Sequence, residues 1–371
     1  MRFLLTSEQL DFTRSLDAML TAADTPSAVR AWGAGDPGPG RALWSRAADA
    51  GIFALVAPDA YDGVGPRPVE LTLACLELGR HAAPGPFVET VAAAALLTRL
   101  AELGEPGPAK RLLPPVVSGA CMASVLFPGA RPYALDADAA DAVLVVSDRA
   151  SRSGESGHSA RPGQSDQTDQ SEQTDQSDQS DQSEQSEQSD QPGPELRLAP
   201  GHGPVQVSAD PARRLSRPLP GGELLASAAE LDEAVAYATL WARLAAAAQC
   251  LGLARALLDR TVAYVKQRTQ FGAPIGSFQA VKHRLADTLV AVEFARPLLY
   301  GAALSLTPGD VAAAKVTAGE AAYAAARAAL QLHGAVGYTQ ELDLSLWLRK
   351  ARPLRDAWGT PGECRALVLA G

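Results

Sequence analysis

The residues best suited to chemistry lie between positions 268 and 287, where a basic side chain precedes a turn rich in glycine and proline. Arg268 carries a planar fork of N–H donors, which is suited to binding a diphosphate. The same residue also has a structural explanation, because an arginine in the last turn of a helix complements the helix dipole. Gly272, shortly after it, suits a left-handed helix cap. Both explanations predict that one helix ends near Arg268 and that a second helix begins after the turn.

The order of residues in two segments resembles the signature of a known family. The segments are Arg-Thr-Gln-Phe-Gly at 268–272, followed by Pro274, Ile275, Phe278 and Gln279, and Gln-Leu-His-Gly-Ala-Val-Gly-Tyr-Thr-Gln-Glu at 331–341. Both resemble the acyl-CoA dehydrogenases, which are flavoenzymes that desaturate acyl thioesters. Short N-terminal sequence motifs, such as Glu-Leu-Gly at 77–79, follow one another in the same order as in the family. They extend the resemblance over almost the whole chain.

The resemblance implies that the chain binds FAD and that the flavin is shared across a subunit interface. It implies that Arg268 contacts the diphosphate of a neighbouring subunit's FAD, and that Gln270 and Phe271 contact the adenosine end. In the second segment the family has two consecutive glycines, which let the backbone approach the diphosphate closely, but here the second is Ala335. The cofactor-binding residues implied in this way are Arg268, Gln270, Phe271, Gln279, Gln331, Gly334, Ala335 and Gly337.

Desaturation by this family needs a carboxylate base, because a proton leaves Cα while hydride leaves Cβ for the flavin. The resemblance gives two positions for the base, one directly before a Gly-Thr pair and one on the long helix before the signature turn. This chain has Trp358 at the first position and Ala242 at the second. Neither side chain can accept a proton, so no catalytic residue is assigned. Asp356 and Glu363 lie near Trp358 in sequence, but neither aligns with a position at which the family has its base.

The half of the flavin site that binds the ring is also poorly supplied. The family usually has a Thr-Glu-Pro-x-Ala-Gly-Ser-Asp-like stretch that holds the isoalloxazine ring, whereas the corresponding segment here, 125–131, reads Val-Leu-Phe-Pro-Gly-Ala-Arg. A Trp-x-Ile-x-Gly strand is missing as well. The diphosphate-binding half, which by resemblance serves the neighbouring subunit, is better preserved.

Three regions must position these motifs. Residues 1–118 read as helices joined by Gly/Pro turns, residues 119–222 as a small, reduced β domain, and residues 223–371 as a four-helix bundle. The predicted fold class is therefore mostly α with a small central β domain, as in the acyl-CoA dehydrogenases. Thr6 is expected to cap the first helix. We further expect helices at about 68–80, 86–103, 107–117, 224–267, 277–306, 310–332 and 342–357, an extended run at 53–58, and strands at 122–127, 142–146, 196–198 and 205–207.

The β domain is interrupted at 151–193, where Gln-Ser-Asp, Gln-Ser-Glu and Gln-Thr-Asp triplets repeat. Such a polar segment cannot bury enough apolar area to offset its ordering entropy, which predicts a disordered loop. A docking tail for a basic partner is the alternative. Nine acids and no bases lie between 164 and 191, and without them 33 acids face 33 bases. This near-neutral balance argues against binding to nucleic acid or to a membrane surface.

The cysteines and the N-terminus bear on the cellular compartment. Four cysteines without CxxC spacing are interpreted as reduced core thiols, and no metal site is assigned. The N-terminus is too short for a signal peptide, and no window of about 18 uncharged apolar residues predicts a spanning helix. We therefore expect a cytoplasmic protein.

Two functions remain open. The first is the base-lacking subunit of a heteromeric acyl-CoA dehydrogenase, which completes the FAD site of a dehydrogenase-like partner acting on an acyl-CoA or acyl-carrier thioester. The second is an independent flavoenzyme on the same fold, either a dehydrogenase with a relocated base or a monooxygenase-like enzyme. Both are expected to be oligomers, homo- or heteromeric, as dimers or tetramers. A scaffold without flavin is the remaining alternative.

Overall fold

A computed structural model describes residues 4–129, 132–147 and 193–370. It has a helical N-terminal region, a small sheet and a C-terminal helical bundle, which confirms the predicted fold class. The N-terminal helices are α1 Ser7–Ala22, α2 Thr25–Gly33, α3 Gly38–Asp49, α4 Pro68–Arg80, α5 Phe87–Glu102 and α6 Pro106–Val117.

Local sequence signals set where these helices begin. The Thr6 hydroxyl accepts a hydrogen bond from the Gln9 N–H, and the Gln9 side chain accepts one from the Thr6 N–H, which together form a capping box. Helices α4 and α6 each begin with a proline, whose missing N–H has no helical partner in the first turn anyway. The helices predicted at 68–80, 86–103 and 107–117 are confirmed.

The extended run predicted at 53–58 is wrong, because Phe53–Leu55 forms a single 3-10 turn. The backbone N–H groups of Val64 and Arg67 reach back to carbonyls of this turn, at 3.0 and 2.8 Å. The apolar pattern of residues 53–58 correctly indicated a buried segment. In so short a segment, however, such a pattern does not distinguish a strand from a tight turn.

The sheet region contains short strands. They are β1 Ala123–Leu126, β2 Ala134–Leu135, β3 Ala142–Ser147, β4 Glu195–Leu198, β5 Leu215–Ser216 and β6 Glu223–Ser227. The main sheet has the order β1-β3-β4-β6, in which β1 and β3 are parallel and the other pairs are antiparallel. Strands β2 and β5 form a separate antiparallel pair.

Two sequence predictions in this region are wrong. Residues 205–207 form no strand, since their one pairing is an isolated bridge between Gln206 and Leu215. The long helix predicted from 224 begins only at Leu231, because residues 223–227 form β6 and pair with β4. The sheet thus extends beyond the predicted boundary at 222. The acidic insert predicted at 151–193 lies outside the described residues, except for Gly193.

The C-terminal region is a helical bundle that follows a short hairpin. Its helices are α7 Leu231–Gln267, α8 Gln279–Ser305, α9 Pro308–His333, α10 Leu344–Asp356 and α11 Pro361–Ala370. The hairpin strands between α7 and α8 are β7 Thr269–Gln270 and β8 Ala273–Pro274. Helix α7 is central and packs against α4, α5, α8, α9 and α10. Helix α11 was not predicted, although a Thr-Pro-Gly-Glu capping box at 360–363 marks its start.

Helices α4 and α7 cross at close contact through two glycines. A Cβ atom at Gly79 would lie 2.1 Å from the Gln249 carbonyl oxygen, and one at Gly252 would lie 1.9 Å from the Leu76 carbonyl oxygen. Neither position can hold a side chain without a backbone shift. The crossing therefore fixes the N-terminal helices directly against the bundle.

Helix α7 is, among the described residues, the one helix whose length and hydropathy would let it cross a membrane. However, 61% of its most apolar window is buried inside the protein. Its contacts with helices on several sides account for the apolar sequence, as in the core helix of a bundle.

We predict that Gly252→Ala lowers the free energy of unfolding by about 1–3 kcal/mol, because its methyl group would overlap the α4 backbone. An unhindered Gly→Ala change in a helix instead stabilises by about 0.5–1 kcal/mol. Gly309→Ala is the control, since a Cβ atom there would meet nothing within 4 Å. Urea unfolding followed by circular dichroism measures both, and equal effects would contradict the glycine crossing.

Candidate functional site

The signature turn is a β-hairpin at the end of α7. Strands β7 and β8 pair, and Phe271 and Gly272 form the two-residue loop between them. Both loop residues have positive φ, at 54° and 77°, as type I′ turns require. Glycine adopts this conformation freely, whereas a bulky residue such as phenylalanine rarely does. The Ile275 N–H donates to the Arg268 carbonyl at 2.8 Å and closes the hairpin.

The side chains predicted to contact flavin from this hairpin lie on the surface. The Phe271 ring is 93% exposed and meets Phe278 edge to face, with centroids 6.2 Å apart. Arg268, Gln270 and Gln279 are exposed as well. Among the described residues, the Arg268 and Gln279 side chains have no hydrogen-bond or ion-pair partner, and the Gln270 amide donates only to the preceding carbonyl, at 2.8 Å. These polar groups are therefore free to bind a ligand.

The second predicted flavin segment begins where α9 ends. Gly334 has φ 62° and ψ −140°, a combination that only glycine adopts readily. The φ of Ala335 lies outside the left-handed region, so its methyl group fits this backbone although the resemblance predicts a glycine. Gln331 and Ala335 are exposed, whereas Gly337 is buried against the last turn of α9.

Tyr264 on α7 and His333 on α9 join the two segments. Their rings stack with centroids 4.1 Å apart and planes 22° apart. His333 Nδ1 lies 2.8 Å from the Ala329 carbonyl oxygen, so Nδ1 carries the proton that it donates there. Burial lowers the pKa of His333, which favours the neutral ring. This geometry gives His333 a packing role rather than a catalytic one.

A hydrogen bond links the loop that carries one of the family's base positions to the helix that carries the other. Arg243, next to the fully buried Ala242 on α7, donates from Nε to the Trp358 carbonyl at 3.0 Å. The Trp358 indole Nε1 donates to Glu89 Oε1 at 3.1 Å, and the ring meets Phe127 edge to face at 5.8 Å. The indole therefore bridges α5 and the sheet region, in the space between them.

Contacts that do not involve the Trp358 side chain fix the loop around it. Lys315, which is fully buried, donates from Nζ to the Arg355 carbonyl at 2.6 Å and to the Gly359 carbonyl at 3.4 Å. Gly359 has φ 125° and a Cβ atom there would lie 2.8 Å from Cys364 Sγ. The loop thus keeps its backbone shape without a carboxylate at position 358.

A small cavity of about 30 Å³ lies beside the Trp358 indole, and three buried carboxyl groups line it, those of Glu89, Asp136 and Asp210. Burial raises the pKa of Glu89 above its ordinary value and raises the pKa of Asp136 to about 7. Asp136 Oδ1 accepts from the Trp32 indole at 3.0 Å, whereas Oδ2 is buried without a partner in the described part of the chain. A space of this size holds about one water molecule and no acyl chain.

Sequence reasoning missed all three carboxyl groups. Glu89 could have been found, because it is the one acid in the apolar run 87–98, and an isolated acid in a buried helix is seldom without a function or a partner. Asp136 gives no such signal, because it lies among other acids in an irregular segment.

Comparison with known proteins gives the family. Residues 6–120 match the model of the acyl-CoA dehydrogenase N-terminal domain, and residues 232–369 match that of the acyl-CoA dehydrogenase C-terminal domain. Acyl-CoA dehydrogenase IpdE2 of Mycobacterium tuberculosis is 31% identical over 359 residues, which cover 96% of this chain and 95% of that protein. The chain belongs to the acyl-CoA dehydrogenase family.

Solved structures share the fold over the whole length. The ChsE4-ChsE5 complex from Mycobacterium tuberculosis has a TM-score of 0.75 at 24% identity and covers 99% of this chain and 97% of that chain. PigA with FAD and proline has a TM-score of 0.75 at 18% identity and covers 100% of this chain and 98% of that chain. At these identities the likeness shows the fold alone.

We predict that Asp136 makes stability depend on pH. Its pKa is about 7 in the folded chain against an ordinary value of 3.8, so the folded state binds its proton more tightly than the unfolded state does. The stabilisation of the folded state by protonated Asp136 is fully present below about pH 4 and is lost as the pH rises through 7. Relative to Asp136→Asn, the native chain should lose about 1.4 kcal/mol of unfolding free energy per pH unit in that window.

Urea unfolding of both proteins at several pH values between 4 and 8 measures this difference. Asp287→Asn, at an exposed position on α8, is the control and should follow the native curve. Parallel curves for the native chain and Asp136→Asn would show that Asp136 ionises normally.

Proposed function

We propose that this chain is the base-lacking subunit of a heteromeric, FAD-dependent acyl-CoA dehydrogenase, in which it completes the FAD site of a catalytic partner. One contrast carries the proposal. The side chains suited to a diphosphate face outward with free donors, whereas Trp358 fills the cleft in which a base and a thioester would lie. Full-length similarity to IpdE2 supports the same conclusion at the level of the family.

The residues of the two flavin segments fit the diphosphate and adenosine parts of FAD. The exposed Arg268 guanidinium can donate two parallel hydrogen bonds to phosphate oxygens. Gly334 has open space where a side chain would be, so its backbone can approach an anion closely. The exposed Phe271 ring offers an apolar face to an adenine. When bound, FAD supplies the hydride acceptor, and this chain's residues hold its diphosphate and keep water from it.

The chain's own cleft supports no separate desaturation. Its cavity of about 30 Å³ is far smaller than the roughly 300 Å³ or more of small-molecule sites. Ala242 and Trp358 cannot accept a proton, so deprotonation at Cα falls to the partner. The thioester, carried by coenzyme A or by a carrier protein, would bind in the partner subunit.

Exposed apolar side chains on α8 support a subunit interface. Val290, Phe294 and Leu298 repeat at every fourth position, and they are 54%, 70% and 45% exposed. A stripe of this kind on a helix surface is typical of packing against another protein. The shared fold with the ChsE4-ChsE5 complex is consistent with a heteromeric dimer or tetramer, which we place in the cytoplasm.

We predict that the chain alone retains little flavin and that co-expression with a dehydrogenase-like subunit encoded beside it gives a yellow, active heteromer. In that complex, Arg268→Ala should release FAD about 10-fold faster or more, because a charged hydrogen bond contributes about 1.5–3 kcal/mol. Flavin fluorescence after dilution measures the release rate, and native mass spectrometry measures the subunit composition.

Arg46→Ala is the matched control, because Arg46 is an exposed arginine on α3 in the N-terminal region and should leave FAD release unchanged. A yellow homo-oligomer of this chain that an acyl-CoA reduces would refute the proposal. Equal release rates for Arg268→Ala and the native complex would remove the role of that side chain.

One observation favours the second candidate function, an independent flavoenzyme with a relocated base. Glu89 is a buried carboxyl group, its pKa is raised by burial, and its Oε1 lies 3.1 Å from the indole at the base position. A raised pKa is a common property of a carboxylate that acts as general base. Rotation of the Trp358 indole would leave Glu89 facing the cleft.

Glu89→Gln separates the two functions, because glutamine can still accept the indole hydrogen bond but cannot act as a base. We predict that the heteromer with Glu89→Gln keeps its native kcat. The second function instead requires that this chain alone is active and that Glu89→Gln lowers its own kcat at least about 100-fold. Steady-state flavin reduction with the best acyl-CoA measures it, with the exposed Glu105→Gln as control.

A further inference from the structure

The two segments that the proposed function assigns to the flavin come from different helices, and one aromatic contact joins them. Tyr264 lies in the last turn of α7, where its carbonyl accepts the Arg268 N–H at 2.9 Å. His333 is the last residue of α9 and directly precedes Gly334. The stack of Tyr264 on His333, with centroids 4.1 Å apart, therefore lies immediately behind both segments.

Three contacts besides the stack hold His333 in place. Nδ1 donates to the Ala329 carbonyl at 2.8 Å, and the Tyr264 hydroxyl donates to the His333 carbonyl at 3.4 Å. Gly337 packs so closely on this residue that an added Cβ atom would lie 3.2 Å from His333 Cβ. A shift of the ring would thus move the start and the middle of the second segment together.

We infer that Tyr264 and His333 form a positioning pair that sets the distance between the Arg268 hairpin and the 331–337 segment, so that both contact one diphosphate at the same time. This inference rests on the proposed function. Neither residue touches the flavin in this role. Each acts through the segment that it carries, Tyr264 through the hairpin and His333 through the Gly334 turn.

The physical reason is that two contacts to one ligand help each other only when their separation is already correct. The hairpin is a two-residue loop with exposed side chains, and the second segment is a single 3-10 turn. Neither has a core of its own, so their relative position depends on the helices behind them. The stack of Tyr264 on His333 supplies that support. Residues that bind a ligand need packed residues behind them to keep their positions correct.

Paired variants of the heteromer test the ring stack separately from the hydrogen bonds. His333→Phe and Tyr264→Phe keep both rings and lose a polar contact. His333→Asn keeps a donor for the Ala329 carbonyl and loses the ring, and Tyr264→Leu keeps an apolar side chain and loses the ring. We expect native FAD release for the two phenylalanine variants, alone or combined, and about threefold to tenfold faster release for the other two.

Tyr237→Leu is the matched control for general destabilisation. Tyr237 lies near the start of the same helix α7 and packs on Trp241 with centroids 6.2 Å apart. We expect this variant to melt earlier, as measured by circular dichroism, with unchanged FAD release. Equally fast release from Tyr237→Leu would overturn the inference, because loosening of α7 anywhere would then suffice.

Native release rates for His333→Asn and Tyr264→Leu would also overturn it. If either of these variants fails to assemble, the combined Tyr264→Phe/His333→Phe variant still decides, because fast release from a protein with both rings in place excludes the stack as the determinant. Arg268→Ala distinguishes this failure from failure of the proposed function. Fast release from Arg268→Ala beside native release from the ring variants removes only the positioning pair, whereas native release from all of them removes both.

Discussion

The hydrogen bond from the Trp358 indole to Glu89 is the interaction on which the proposed division of function between this chain and a partner depends. It connects a loop of the C-terminal bundle to the first turn of α5, across the cleft beside the sheet region. The Trp358 indole is half-buried, so its hydrogen bond contributes about 0.5–1.5 kcal/mol, whereas the buried Glu89 carboxyl group would cost about 1–3 kcal/mol or more without a donor. Each group therefore stabilises the other in the closed arrangement. A cleft closed in this way has room for about one water molecule, and the proposed function therefore leaves the thioester to the partner subunit.

The loop that carries Trp358 keeps the support that a catalytic loop would need. Arg243 and Lys315 hold its carbonyl oxygens, and Gly359 allows a backbone that no other residue would adopt easily. None of these contacts depends on the side chain at position 358. The loop also joins α10 to α11, and Lys315 donates to carbonyls at the end of α10, so its conformation has a structural role in the bundle. Loss of the base is therefore compatible with an intact fold.

Much of the fold could be predicted from the sequence because its signals are local. The Thr6 capping box, the prolines that open α4 and α6, and the turn after Arg268 each act within a few residues. The errors fall where distant pairing decides. Residues 223–227 became a strand because β4 lies beside them, and Phe53–Leu55 became a turn because carbonyls there accept from Val64 and Arg67. For the same reason the sequence showed that a tryptophan occupies the base position but did not reveal which residue its indole hydrogen-bonds to. That residue, Glu89, lies far away in sequence, on α5.

The surface hairpin exposes an aromatic ring, that of Phe271, and a guanidinium, that of Arg268. Phe271 holds a left-handed backbone conformation that costs of order 1 kcal/mol or more for a bulky residue, and its ring is almost fully exposed. The type I′ hairpin requires this backbone conformation, but the exposed ring gains little within the chain, since its one aromatic neighbour among the described residues is Phe278, at its edge. The exposed ring and the Arg268 guanidinium of the same hairpin are together suited to a molecule that offers negative charge as well as apolar surface. Under the proposed function, the FAD of a second subunit offers both the negative charge and the apolar surface. A protein surface would offer both only if acidic residues also lay beside its apolar contact.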